Sequence, residues 1–327
     1  MHDDEVEVTA DDVRRLLAAQ LPHLAGRAIT PVPEAGTDHR LFLLGDPAAG
    51  ALLARMPRIA WAAEQAASDA RWLPLLAPHL PLTVPAPVAV GEPDGRYPFP
   101  WSVVPWVPGR AVGDPWAGEP LGFDADEGAR ALGDLVRALR SVDPDGGPRK
   151  QGTARGVPLE RLDPAVREAL AAIASSDSGR GIGPRRPDSA PEVDVDATTA
   201  AWGRALAAPP SSVPAWIHGD LLPGNLLAHD GRLTAVIDWG ALGVGDLAVD
   251  LCPAWWLFDG AARATFLHEA TKGLPDGVAA AAVERALGWL IVQAAIAIPY
   301  YDTRWPEFAA ASRRRIRALL ADPALTP

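Results

Sequence analysis

Three side chains between Ile217 and Leu251 have the types and spacing to move a phosphoryl group. Asp220 closes the triplet His218-Gly219-Asp220, Asn225 follows five positions later, and Asp238 opens the triplet Asp238-Trp239-Gly240. In phosphoryl transfer built on this pattern, the loop carboxylate receives or orients the acceptor hydroxyl. The amide five residues on and the later carboxylate hold Mg²⁺. Two oxygen ligands suit this cation, which keeps its other positions for water and phosphate oxygens. The competing reading makes Asp220 and Asp238 ordinary turn or capping residues. It requires both triplets, the five-residue interval and the pattern between them to coincide by accident.

The stretch joining Asn225 to Asp238 predicts how they meet. Asn225 to Ala228 and Leu233 to Ile237 are short apolar runs around His229-Asp230-Gly231-Arg232, and Asp-Gly between such runs signals a β-hairpin. A hairpin returns the chain on itself, so its two ends converge on one point.

The composition narrows the classes. The chain has 327 residues, 48% of them hydrophobic, with 12 tryptophans, ample for the core of one large or two small domains. The net charge of −11 argues against nonspecific nucleic-acid binding and suits a cationic partner. Six of the acids, Asp3 to Asp12, precede the first arginine, however, and such a run reads equally as a solvated surface. The acidic N-terminus has no basic or apolar region of a secretory signal. Gly288 to Tyr300 is too short for a membrane span and carries Gln293 and Pro299, so it reads as a buried core helix. Cys252 is the one cysteine, which excludes an internal disulfide and a Cys-rich metal site and makes a cytoplasmic setting the default. It reads as a small buried hydrophobe. Neither Lys150 nor Lys272 ends a Walker-type P-loop. Gly179 to Gly183 follows no strand and reads as loop.

The elements that must position the three side chains follow from periodicity. Ala10 to Leu24, capped by Thr9, reads as a helix. Three strand-like runs follow, Ala28 to Pro33, His39 to Leu44 and Ala51 to Arg55, then a helix from Trp61 to Leu76 and two extended runs, Ala86 to Val90 and Trp101 to Val107. From Gly122 the pattern is helical, with segments at Glu127 to Val142, Asp163 to Ala174, Ala197 to Ala208, Asp246 to Leu257, Gly260 to Thr271, Gly277 to Ile298 and Trp305 to Ala321. Residues 175–196 are rich in Ser, Gly, Pro and Asp and read as a flexible insertion.

Over roughly Thr30 to Leu320 the chain resembles the aminoglycoside phosphotransferase family of the protein-kinase-like superfamily. The motifs HGDLLPGNLL, AVIDWG, GVGDLAVDL and the stretch from Arg71 to Gly109 carry the likeness. The resemblance implies an α+β, bilobal protein-kinase-like fold, with a small antiparallel-sheet N-lobe over residues 1–105 and a larger, mainly helical C-lobe over 106–327. It makes Asp220 the catalytic aspartate and Asn225 and Asp238 the Mg²⁺ ligands. Gly36, Asp38 and His39 would lie in the loop over the nucleotide phosphates, and Val103 to Val107 would form the hinge beside the base. Val104 falls in that hinge. Pro105 has no N–H, so Trp106 is the expected hinge donor.

No lysine precedes Lys150, so the phosphate-pairing lysine of the third strand is missing and Arg55 stands in its place. Arginine is always charged and can fork onto phosphate or carboxylate oxygens. Its expected helix partner is Asp69, with Glu64 second. A solvated Arg55 without a role is the other reading. Asp246 is expected to cap a helix, Asp250 to brace the catalytic loop by hydrogen bonds, and His218 to be a packed loop residue.

The resemblance implies an ATP- or GTP-dependent enzyme, a phosphotransferase with an alcohol group as acceptor, with Mg²⁺ as cofactor. The leading acceptor is an aminoglycoside-like antibiotic. Alternatives are a macrolide, a peptide antibiotic, a sugar or an amino alcohol, and a nucleotide-binding pseudoenzyme is a third reading. Neither nucleic acid nor membrane is an expected partner. Several carboxylates around the acceptor would mark an aminoglycoside site, and an apolar lining a macrolide site. Trp255, Trp256, Tyr301 and Asp302 are candidate acceptor contacts, although a Trp/Tyr group at helical spacing also reads as core.

Overall fold

The computed structural model describes residues 5–33, 38–179, 193–211 and 214–322. The chain divides into two compact units. One comprises Met1–Val112 and Gly224–Leu242, the other Gly113–Pro223 and Gly243–Pro327.

The first unit opens with helix α1 (Ala10–Gln20). The Thr9 hydroxyl accepts the Asp12 N–H, and the Asp12 carboxylate accepts the Thr9 N–H. This capping box satisfies two otherwise unpaired backbone donors. The helix buries Val13, Leu16 and Leu17 in one cluster with Phe42, Leu44, Met56 and Trp101. These belong to a five-stranded antiparallel sheet of β1 (Ile29–Pro31), β2 (His39–Leu44), β3 (Leu52–Pro57), β4 (Ala89–Gly91) and β5 (Trp101–Pro105), in the order β1-β2-β3-β5-β4. On β3 the alternation of a pleated strand buries Ala54 and Met56 and turns Arg55 to the other face. Helix α2 (Ala60–Leu76) follows β3 and contains Pro74 in its last turn.

The predicted hairpin belongs to this unit. Leu226–His229 pairs antiparallel with Arg232–Val236, and Asp230 (φ 49°) and Gly231 (φ 74°) make the turn. Two successive positive φ angles define a type I′ turn, whose twist matches that of the strands it joins. Arg110–Ala111 adds a short third strand, and Thr83 bridges to Ala235.

The second unit is mainly helical, with helices at Ala125–Ser141, Asp163–Gly179, Val195–Ala207, Gly260–Thr271, Asp276–Ala295 and Pro306–Ala321. The helix from Asp163 runs five residues into the stretch expected to be irregular, and residues 180–192 of that stretch lie outside the described residues. Two short strands, Ala215–Ile217 and Gly243–Gly245, pair antiparallel on either side of the motif segment. At three residues each they are too short to show a period.

Proline accounts for two differences from the sequence reading. The single helix expected over Asp246 to Leu257 is instead a 3₁₀ turn, Leu247–Leu251, followed by a short helix, Pro253–Trp256. Pro253 has no N–H to give the Val249 carbonyl. The helix from Asp276 likewise stops at Ala295, and a second segment, Ala297–Tyr301, carries Pro299. The span Asp276–Tyr301 is longer than expected, 26 residues, and apolar enough to cross a membrane by length and composition, yet 72% of its most apolar window is buried inside the protein. It packs as the core helix the sequence suggested.

Candidate active site

In the second unit, the loop after Ala215–Ile217 carries His218, Gly219 and Asp220. Asp250 organises it. One carboxylate oxygen accepts the His218 N–H at 2.7 Å and the other accepts the Gly219 N–H at 2.7 Å. Both His218 and Asp250 are buried, and the His218 Nδ1 accepts the Asp220 N–H at 3.1 Å. Burial pushes the Asp250 carboxyl up to about 6, against the two N–H donors and the charge of Lys150. Burial in turn lowers the Lys150 pKa, with Asp250 opposing. Asp246 caps the following turn through the Ala248 N–H at 3.1 Å. It also accepts a two-pronged contact from Arg285, at 2.6 and 3.0 Å. The places expected of His218, Asp246 and Asp250 are thus filled by specific contacts.

Asp220 has a partner that the sequence reading missed. Its carboxylate pairs with the guanidinium of Arg155. Arg155 lies in a turn-rich stretch without periodicity, 65 positions away, and no spacing rule links the two.

In the first unit the hairpin performs the predicted return. The Asn225 carbonyl accepts the Ile237 N–H at 2.9 Å, which places the backbone of Asn225 beside the residue preceding Asp238. Asp238 adopts a left-handed conformation (φ 57°, ψ 69°), one that Asp tolerates better than most residues. Trp239 is buried and donates to the Val236 carbonyl at 3.0 Å. Gly240 lies so close to helix α2 that a Cβ there would stand 2.5 Å from the Gln65 side chain.

Arg55 and Asp69 meet as expected. Nη1 of Arg55 donates to Oδ2 of Asp69 at 2.9 Å, with Asp69 almost wholly buried. Burial raises the Asp69 pKa, Arg55 opposes the rise, and Asp238 adds to it. Arg55, Asp69 and Asp238 therefore share one electrostatic neighbourhood. His39, at the start of β2, belongs to it too. Burial and the Arg55 charge hold its imidazole neutral, down to about 3. Among the described residues no group of three or more His, Cys, Asp or Glu could enclose a metal by itself. Asn225 and Asp238 are the residues that would supply two hard oxygen donors, a partial set that suits Mg²⁺ completed by phosphate and water.

The other expected nucleotide contacts divide. Gly36 lies outside the described residues. The Asp38 carbonyl accepts the Arg58 N–H at 2.8 Å. Val104 is buried in the sheet opposite Leu53. The Trp106 N–H, expected to face a base, donates instead to the Ala51 carbonyl at 3.1 Å, since the amide after Pro105 continues the pairing of β5 with the β3 side.

Of the four acceptor candidates, Tyr301 lines a cavity of about 450 Å³ with Arg155, Leu162, Trp289, Val292 and Ile296. The other three lie elsewhere. Trp255 is buried and lines a separate cavity with Trp116 and Arg263. Trp256 is buried against Trp116 and donates to Gln293. Asp302 is gripped by Arg313 at 2.7 and 3.1 Å. Trp255 and Trp256 are core residues, the alternative that helical spacing left open. Cys252 is buried, the place of a small hydrophobe, and burial drives its thiol pKa upward.

Comparison with known proteins adds the following. The profile of the family described as Phosphotransferase enzyme family (APH) matches residues 28–283. No curated protein sequence matches. Among solved structures, the apoenzyme of macrolide 2′-phosphotransferase MphH from Brachybacterium faecium superposes with a TM-score of 0.60 at 23% identity, covering 94% of this chain and 97% of that one. The GDP complex of aminoglycoside 2′-phosphotransferase-IIIa gives 0.64 at 16% identity, covering 96% and 99%. A choline/ethanolamine kinase family protein from Mesorhizobium loti gives 0.60 at 20% identity, covering 96% of each chain. The shared architecture is the protein-kinase-like fold, an antiparallel-sheet part followed by a mainly helical part.

Proposed function

The chain belongs to the phosphotransferase enzyme family, and from that premise we propose that it transfers the γ-phosphate of ATP or GTP to a hydroxyl of a small molecule. The observation that carries the reading is the register of the hairpin, which returns Asn225 to the residue before Asp238, together with Asp220 on a loop that a buried carboxylate holds in place.

In this reading the acceptor oxygen attacks the γ-phosphorus while its proton passes to the Asp220 carboxylate. The bond to the bridging oxygen breaks, and its electron pair leaves with the nucleoside diphosphate. Mg²⁺ held by Asn225 and Asp238 would neutralise charge developing on the phosphates. Arg55 would grip phosphate oxygens, its direction fixed by Asp69, and the neutral His39 would stand beside it. Such catalysis consists of positioning and electrostatic stabilisation, with little covalent work for the protein. A cytoplasmic setting suits a nucleotide-consuming enzyme whose one cysteine is buried and unbonded.

The acceptor reading follows from the cavity beside Arg155. Apart from Arg155, Thr153 and Gln293 its described lining is aromatic and aliphatic, and it includes no carboxylate. Of the acceptors the sequence left open, this lining supports a molecule with a large apolar body, such as a macrolide, over an aminoglycoside. Macrolide and aminoglycoside phosphotransferases alike are among the proteins that share the fold. A transfer screen with γ-labelled ATP and GTP against macrolides, aminoglycosides and amino alcohols tests the reading. Label on a macrolide supports it, while binding of nucleotide without transfer to any acceptor favours the pseudoenzyme.

A further inference from the structure

Arg155 takes part in two features of the second unit at once. It pairs with the Asp220 carboxylate, and it is the one charged side chain among the described residues lining the cavity with Trp289 and Tyr301. A polyamine is drawn into a site by carboxylates that are not already matched by a cation. Here the carboxylate next to the cavity is matched by Arg155. An ammonium group entering this space would approach a guanidinium against apolar walls, where water screens the repulsion less than at an open surface. A group that accepts hydrogen bonds meets the opposite situation, since a guanidinium carries five donors in a planar fork and can hold more than one acceptor.

Resting on the phosphotransferase reading above, we propose that Arg155 is the acceptor-specificity residue of this enzyme. By matching Asp220 and standing in the cavity wall, it disfavours polycationic acceptors relative to those that carry at most one positive charge. Arg155 acts on the charge of the acceptor, whereas Asp220 acts on its proton.

The test measures affinity for kanamycin, a polycationic probe, by titration calorimetry on the full chain. Wild type is compared with Arg155→Lys, Arg155→Gln and Arg155→Glu, each checked by thermal melting. Arg155→Lys keeps the charge and should bind kanamycin as weakly as wild type. Arg155→Gln should bind at least threefold more tightly and Arg155→Glu at least tenfold, and both gains should shrink as salt is raised. If Arg155→Glu does not fold, Arg155→Gln decides. Affinities that stay flat across the charge series, or a wild type that binds kanamycin as tightly as the glutamine and glutamate variants, overturn the proposal. The readout is independent of turnover. A wild type that transfers no phosphate to any acceptor therefore counts against the phosphotransferase reading alone, while the affinity series still decides the role of Arg155.

Discussion

Arg55 holds Asp69 through a single contact, Nη1 to Oδ2 at 2.9 Å, and the second carboxylate oxygen of Asp69 is buried without a hydrogen-bond partner among the described residues. The pair combines a long cation with a short anion. If it aims Arg55 at nucleotide phosphates, Arg55→Ala should raise the nucleotide KM and lower kcat. Arg55→Lys should keep substantial activity, because a point charge still reaches phosphate. Adding Asp69→Glu to Arg55→Lys should bring the kinetics closer to wild type, since the longer acid makes up for the shorter base. Steady-state kinetics on the three variants check this, and wild-type kinetics in Arg55→Ala would remove the clamp.

The brace under Asp220 should be visible in pH profiles. A carboxyl raised to about 6 when folded binds its proton more tightly folded than unfolded. Its contribution to stability is therefore full below the ordinary carboxyl range and lost as pH rises through about 6. Loop order runs the other way, because the ionised carboxylate accepts the His218 and Gly219 N–H groups more strongly than the protonated acid does. Turnover should fall as pH drops below about 6 while this contribution to stability grows. Asp250→Asn turns an NH₂ toward one of the two donors, so it should lose about 1–3 kcal/mol and abolish the limb near pH 6. An unchanged limb in this variant would place the titration elsewhere.

At Asp238, backbone and charge can be separated. The left-handed conformation is one that Asn also tolerates. Asp238→Asn should therefore keep the thermal melt near that of wild type and lose Mg²⁺-dependent nucleotide binding, whereas Asp238→Ala should lose both. Asn225→Ala should weaken Mg²⁺ dependence more mildly, since a neutral ligand is removed. Full Mg²⁺-dependent activity in Asp238→Asn would break the link between the hairpin and the metal.

These residues also mark how far the sequence could be read. The hairpin and the α1 cap were legible because their signals are local, an Asp230-Gly231 turn and Thr9 ahead of an apolar-periodic run. The Arg55–Asp69 pair was legible because strand and helix order left few partners. Arg155 was not, since its tie to Asp220 joins an irregular segment to a distant loop. Trp255 and Trp256 stayed ambiguous because helical spacing of aromatics is the same in a core as in a ligand wall. Asp302 could not be told from an acceptor contact until Arg313 was seen gripping it. The break at Pro253 was written in the sequence, but apolar periodicity runs through it and masked it.

The most direct test of phosphoryl transfer through Asp220 is Asp220→Asn, assayed with γ-labelled nucleotide on the best acceptor from the screen, alongside direct titration of the nucleotide. The substitution keeps the shape of the side chain and removes its ability to take the proton. Turnover should fall by about 10²–10⁴-fold, with nucleotide affinity nearly unchanged. Turnover within a few-fold of wild type would contradict the mechanism proposed for this site.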